Sequence, residues 1–159
     1  MQVLKPGDFY FGSRGEQIKT LLGSCVAITL WHPQQRIGGM CHFLLPDNGG
    51  KELEKGGYDG RYADQVMAMF KRELVRTRTR PRDYQVKVFG GGNMFPQLAR
   101  QGLDIGQRNI GAARRLLHQE GFRIRAEHVG KSGHRAIILE LETGRTWVRW
   151  QGQGAGNEH

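Results

Sequence analysis

Cysteine is scarce in this chain, with two among 159 residues. That is too few for a disulfide framework and points to a reducing compartment. Long apolar runs are missing as well. None approaches the about 20 residues of a membrane-spanning helix. Met1 leads into Gln2, Val3, Leu4 and Lys5 rather than a basic start and an apolar stretch, so no secretory signal is expected and the expected address is the cytoplasm. Acidic residues are few: 15 Asp and Glu stand against 24 Lys and Arg, a formal charge of +9. Residues 71–82 alone hold six basic side chains and one Glu. Such a balance favours an acidic partner, whether nucleic acid, anionic membrane or an acidic protein surface, or else it is a solvated basic face. Nucleic acid is the weakest of these, because the chain has no RRM-type aromatic signature, no zinc-finger spacing and no convincing helix-turn-helix turn.

What is present fits one soluble domain over residues 1–150, with 38% hydrophobic and 25% charged residues and no internal repeat. Residues 18–30 read as one extended segment, with Val26, Ile28 and Leu30 on one face and Ala27 and Thr29 on the other. His32-Pro33-Gln34-Gln35 makes a turn, residues 36–45 run extended again, and the pair predicts a β-hairpin. After a polar loop over residues 51–60, Tyr62, Val66, Met69 or Phe70, and Leu74 recur at helical spacing. Tyr84, Val86 and Val88 alternate as a strand that enters Gly90-Gly91-Gly92-Asn93. This cluster lacks the Lys-Ser/Thr of a phosphate loop, so close packing or a tight turn is expected. A second helix spans 105–119, buried through Ile110, Ala113 and Leu117, with Gly121 at its C-terminal cap. A strand at 122–126 and a hairpin of 136–141 with 146–150 follow. Residues 151–159 read as a disordered polar tail. Partial alternation of strands and helices, with hairpins at both ends, predicts an α+β fold: helices layered on a mixed sheet.

Both cysteines fall in the first hairpin, and this concentrates the chemistry. Cys25 follows Gly23-Ser24, where a tight turn could bring backbone N–H groups to an oxyanion. Paired strands would set His42 on the same sheet edge, where an imidazole takes a thiol proton and returns it to a leaving amine. Taken alone, the same residues read more readily as an inert core cysteine and a satisfied core histidine. Zinc held by Cys25, Cys41 and His42 is disfavoured, because neighbours on a strand point to opposite faces. By the same rule Cys41 is the cysteine expected in the core.

Leu22-Gly23-Ser24-Cys25-Val26-Ala27 and Gly39-Met40-Cys41-His42-Phe43-Leu44-Leu45-Pro46-Asp47 closely resemble the CheD family of chemoreceptor glutamine deamidases. The order and spacing of Tyr62-Ala63-Asp64, Gly90-Gly91-Gly92-Asn93-Met94-Phe95, Ile105-Gly106-Gln107-Arg108-Asn109 and Glu142-Thr143-Gly144 extend the resemblance over residues 7–149. It implies a cofactor-free protein-glutamine deamidase: Cys25 attacks a glutamine carboxamide on a cytoplasmic receptor helix, and His42 serves the proton transfers and the hydrolysis of a thioester. It also implies a layered α/β sandwich similar to the catalytic domains of deamidating toxins, and CheC as a possible partner. The alternative is a non-catalytic or weakly catalytic receptor- or CheC-binding regulator. The sequence departs from the family pattern at two places. The family's third catalytic residue is a threonine typically six positions before the cysteine. Here Lys19 holds that position, and Thr20, five before, is the candidate to orient His42, although a one-residue shift reverses the face of a strand. The second is His128-Val129-Gly130-Lys131, which stands where the family often has Asp-Thr-Gly-Gly. Receptor helices are commonly acidic, so Arg72, Arg76, Arg114 and Arg115 are candidates to steer docking.

Overall fold

The computed structural model describes residues 1–51, 57–152 and 155–158. The chain opens with β1 (Gln2–Leu4) and β2 (Phe9–Gly12), then β3 (Gln17–Leu22), β4 (Val26–Trp31) and β5 (Gly38–Cys41). Helix α1 (Ala63–Thr77) leads to β6 (Gln85–Gly90), the short α2 (Pro96–Arg100) and α3 (Ile105–Gln119). Strands β7 (Ile124–Val129), β8 (His134–Glu140), β9 (Thr146–Gly152) and β10 (Ala155–Glu158) complete it. The fold is α+β, but the expected single mixed sheet is two: β1-β3-β8-β9-β10 and β2-β5-β4-β6-β7. Each is mixed, through the parallel pairs β1–β3 and β6–β7.

The two sheets and the helices form three layers, and each gap has its own core. Ile18 and Leu22 of β3 with Ile137 and Leu139 of β8 face Ala27, Met40 and Phe89 of the second sheet. The other face of that sheet, through Val26, Ile28, Leu30 and Val88, packs against Val66, Phe70 and Leu74 of α1 and Ile110, Ala113 and Leu117 of α3. Strand β4 is therefore buried on both faces, which is why Val26 to Leu30 carries no charged residue. The helical stripes fall where the spacing predicts them, with Phe70 rather than Met69 buried in α1. Asp104 caps α3 by accepting from the Gln107 N–H at 3.0 Å.

The one extended segment expected over residues 18–30 is two strands in two different sheets. The chain bends at Gly23-Ser24-Cys25, leaving β3 in the first sheet and starting β4 in the second. Period-two counting cannot see this break, because Leu22 and Val26 are both core residues on either side of it. Of the tail, Gln151 and Gly152 extend β9 and Ala155–Glu158 pairs with it as β10. Residues 153, 154 and 159, and residues 52–56 of the polar loop, lie outside the described residues.

Candidate active site

The last rung between β4 and the β5 segment joins Val26 to Phe43, with N–H to O distances of 3.1 and 3.0 Å. This register sets Ala27 opposite His42 and Cys25 one diagonal step from it, on the same face, within reach of long side chains. That face looks into the gap between the sheets, and Cys25 packs half-buried against the core there. Cys41 points the other way, into the helix-side core. Cys41 and His42 thus diverge as adjacent strand residues do, and full burial pushes the Cys41 thiol up to about 12.

Thr20 reaches the same place from the opposite sheet. Its inward position on β3, between Ile18 and Leu22, brings Oγ1 to 2.7 Å from His42 Nδ1, fully buried. The one-residue offset from the family's threonine does not reverse its face, because the bend at Gly23-Ser24-Cys25 interrupts the alternation between Thr20 and Cys25. Thr20 Oγ1 also lies 3.0 Å from the Leu4 carbonyl oxygen. A carbonyl only accepts, so the single hydroxyl proton goes to Leu4, and His42 Nδ1 must carry the proton that bonds Oγ1. The assignment leaves Nε2 with its lone pair, the form a general base needs.

Burial holds the His42 imidazole down at about 4, against the upward pull of the Asp8 carboxylate. Burial also raises the Cys25 thiol above its ordinary value. At neutral pH the resting pair is therefore thiol and neutral imidazole rather than an ion pair, and an attack by this thiol would need proton transfer alongside it.

Two further elements hold the bend that carries Cys25. The glycine run after β6 straps it from one side: Gly91 N–H donates to Cys25 O and Gly92 N–H to Gly23 O, both at 2.9 Å. Gly91 has φ of +67°, and a Cβ there would stand 2.4 Å from Ile110 Cγ1, so the cluster is a tight, closely packed turn rather than a phosphate cradle. From the helix layer Asn109 donates through Nδ2 to Ser24 O at 3.2 Å and Leu44 O at 2.8 Å. Sequence reasoning gave Asn109 no role. The available signal was a polar side chain on the apolar stripe of α3, between Gly106 and Ala113.

The basic residues distribute differently from expectation. Arg76 pairs with Glu73 at 2.6 Å and Arg114 with Glu127 at 2.7 Å, while Arg72 lies over the Tyr58 ring. A concavity of about 560 Å³ beside Arg82, Arg123 and Arg125 opens at the start of β6 and β7. Cys25 is beside the other end of β6, so that concavity is not where the thiol lies. A cleft of about 330 Å³ next to Gly23 is bounded by Leu21, Arg135 and Arg149. No helix among the described residues is long and apolar enough to cross a membrane.

Comparison with known proteins places this chain in a family. Residues 44–150 match the sequence model described as "CheD chemotactic sensory transduction". A protein of Pseudomonas syringae pv. tomato, named "Probable chemoreceptor glutamine deamidase CheD", is 46% identical over 151 residues, covering 94% of this chain and 88% of the relative. A Dechloromonas aromatica protein of the same description, numbered CheD 3, is 42% identical across 98% of this chain and 89% of its own. An archaeal one from Thermococcus kodakarensis is 34% identical across 90% and 88%. These alignments span most of the chain and, with the family match, carry one conclusion: the chain belongs to the CheD family.

Proposed function

We infer that this protein hydrolyses side-chain amides of specific glutamines in chemoreceptors, giving glutamate and ammonia. The relatives' names support the reaction, and one observation supports its machinery: a buried, neutral His42 held through Nδ1 by Thr20, with Cys25 one diagonal step away on the same face. Cys25 Sγ attacks the carboxamide carbon while His42 Nε2 takes the thiol proton. Backbone N–H groups at the Gly23-Ser24-Cys25 bend face the oxyanion that forms. Collapse breaks the C–N bond, His42 returns the proton to the leaving nitrogen, and ammonia departs from a thioester. Water, deprotonated by His42, then attacks the thioester carbon, and the thiolate leaves and recovers its proton. No step calls for a cofactor.

The substrate is a side chain on a folded helix in the cytoplasm, so the site must be reached from the surface. Half-exposed Cys25 and exposed Leu21 meet that demand. Arg72 and Arg115 are the better candidates for steering an acidic receptor helix, since Arg76 and Arg114 already face carboxylates. The layered architecture would also account for the likeness to deamidating toxins that the family resemblance implies. CheC is a proposed partner, tested by co-elution of the two purified proteins. The reading as a non-catalytic or weakly catalytic regulator drew on the offset of Thr20, and the contact between Thr20 and His42 supports the catalytic reading instead.

The test is incubation with a purified receptor cytoplasmic fragment, followed by mass spectrometry of its glutamine sites. Conversion by the wild type and none by Cys25→Ala or His42→Ala is expected. Undiminished conversion by folded Cys25→Ala would sink the mechanism.

A further inference from the structure

Asn109 is fully buried, yet its Oδ1 accepts no hydrogen bond among the described residues. Such an acceptor is costly to hide, and an apolar side chain on this stripe of α3 would avoid the cost. What the residue does make is a pair of donations from Nδ2, to Ser24 O and Leu44 O. These carbonyls belong to the segments just before Cys25 and just after His42. They lie where β4 and the chain after β5 separate, one step beyond the Val26–Phe43 rung. Two carbonyls around one amide also settle which end is nitrogen.

The peptide between Ser24 and Cys25 is trans. Its C=O and N–H therefore point in opposite directions. With the Ser24 carbonyl drawn to Asn109, the Cys25 N–H is turned away from that side. Among the described residues no acceptor meets it. A nucleophile's own N–H, unpaired and fixed in direction, is suited to receive the oxygen of the group the nucleophile attacks.

We propose that Asn109 is a positioning residue that orients the Ser24–Cys25 peptide so that the Cys25 N–H serves as an oxyanion donor. This rests on the reading of Cys25 as nucleophile. Asn109 touches no reacting atom, and acts by holding the donor in place before the substrate arrives. The same clamp ties the donor's segment to the segment carrying His42, so nucleophile, base and donor share one anchor on α3.

The test separates oxyanion stabilisation from nucleophile integrity. Alkylation of Cys25 by iodoacetamide is a displacement at carbon that builds no oxyanion, whereas deamidation must build one. Cys41, buried and held up at about 12, stays silent in that assay. For Asn109→Ala we expect kcat for receptor deamidation to fall about 100-fold, as for loss of an oxyanion donor. KM and the alkylation rate stay at wild-type values. Leu117→Ala, another core truncation of α3, serves as the control for lost stability and should keep wild-type kcat. Should Asn109→Ala fail to fold, Asn109→Asp is measured instead. Its neutral carboxyl has the same shape and can donate to only one carbonyl, so the same split with a smaller loss is expected. A near-wild-type kcat in the folded variant, or alkylation and deamidation falling together, overturns the proposal. An active Cys25→Ala would instead overturn the underlying mechanism, whatever Asn109→Ala does.

Discussion

Replacing Thr20 by valine tests the contact that joins the two sheets. Valine keeps the branched shape on β3 and removes only the hydroxyl, so the inter-sheet core around Ile18 and Leu22 stays filled. Two buried groups lose their partner: the Leu4 carbonyl and His42 Nδ1–H. At about 1–3 kcal/mol for each unsatisfied buried group, folding should weaken by roughly 2–6 kcal/mol. Catalysis suffers through the tautomer. Without an acceptor at Nδ1 the imidazole gains by moving its proton to Nε2, and the base then presents an N–H to the thiol. If the lost bond favours the productive tautomer by about 1.5–2 kcal/mol, kcat falls about 10–30-fold. Thr20→Ser restores an oxygen at the same depth and should recover most of that loss. Ammonia release from a receptor fragment gives kcat, and thermal unfolding monitored alongside shows whether the variant is folded at the assay temperature. A folded Thr20→Val enzyme within about threefold of wild-type kcat would refute the role of Thr20 in fixing His42.

Three further outcomes follow from the same structure. Burial raises the Cys25 thiol above its ordinary 9.0, so iodoacetamide should react slowly at neutral pH and its rate should climb steadily through alkaline pH; a plateau reached near pH 7 would mean a resting thiolate. His42 titrates at about 4 in the folded protein against 6.5 when free. Protonation therefore favours the unfolded chain, and this contribution to stability, complete above about pH 6.5, is lost as pH falls toward 4, by roughly 3 kcal/mol. Denaturant unfolding at stepped pH should show that loss, and His42→Gln should lack it. Finally, Gly91→Ala forces a left-handed alanine whose Cβ meets Ile110. It should cost roughly 2–4 kcal/mol and lower the unfolding temperature by roughly 10 °C; an unchanged transition would mean the strap has slack.

Local patterns read well from the sequence because local physics decides them. The stripes of α1 and α3, the β8–β9 hairpin and the divergence of Cys41 from His42 all follow from periods of 3.6 and 2. Pairing between β3 and β8 was not legible, since it joins Ile18 to Leu139 across most of the chain. With it went the division into two sheets, and with that the reason Thr20 can meet His42 despite its offset. Asn109 escaped for a related cause. Its partners, Ser24 and Leu44, lie 85 and 65 residues away, and spacing within a helix says nothing about such distant carbonyls. The short α2 starts at Pro96 and carries no buried residue, so no apolar period announces it.

The bend at Gly23-Ser24-Cys25 has a consequence for the chain while it is being made. Cys25 and His42 are made well before β8, the strand that pairs with β3. Until residues 134–140 arrive, β3 has only the three-residue β1 beside it. During that interval Thr20 has no sheet to hold it against the imidazole, and the thiol and histidine belong to an unfinished layer. The contact between Thr20 and His42 thus depends on β8, a strand laid down far along the chain.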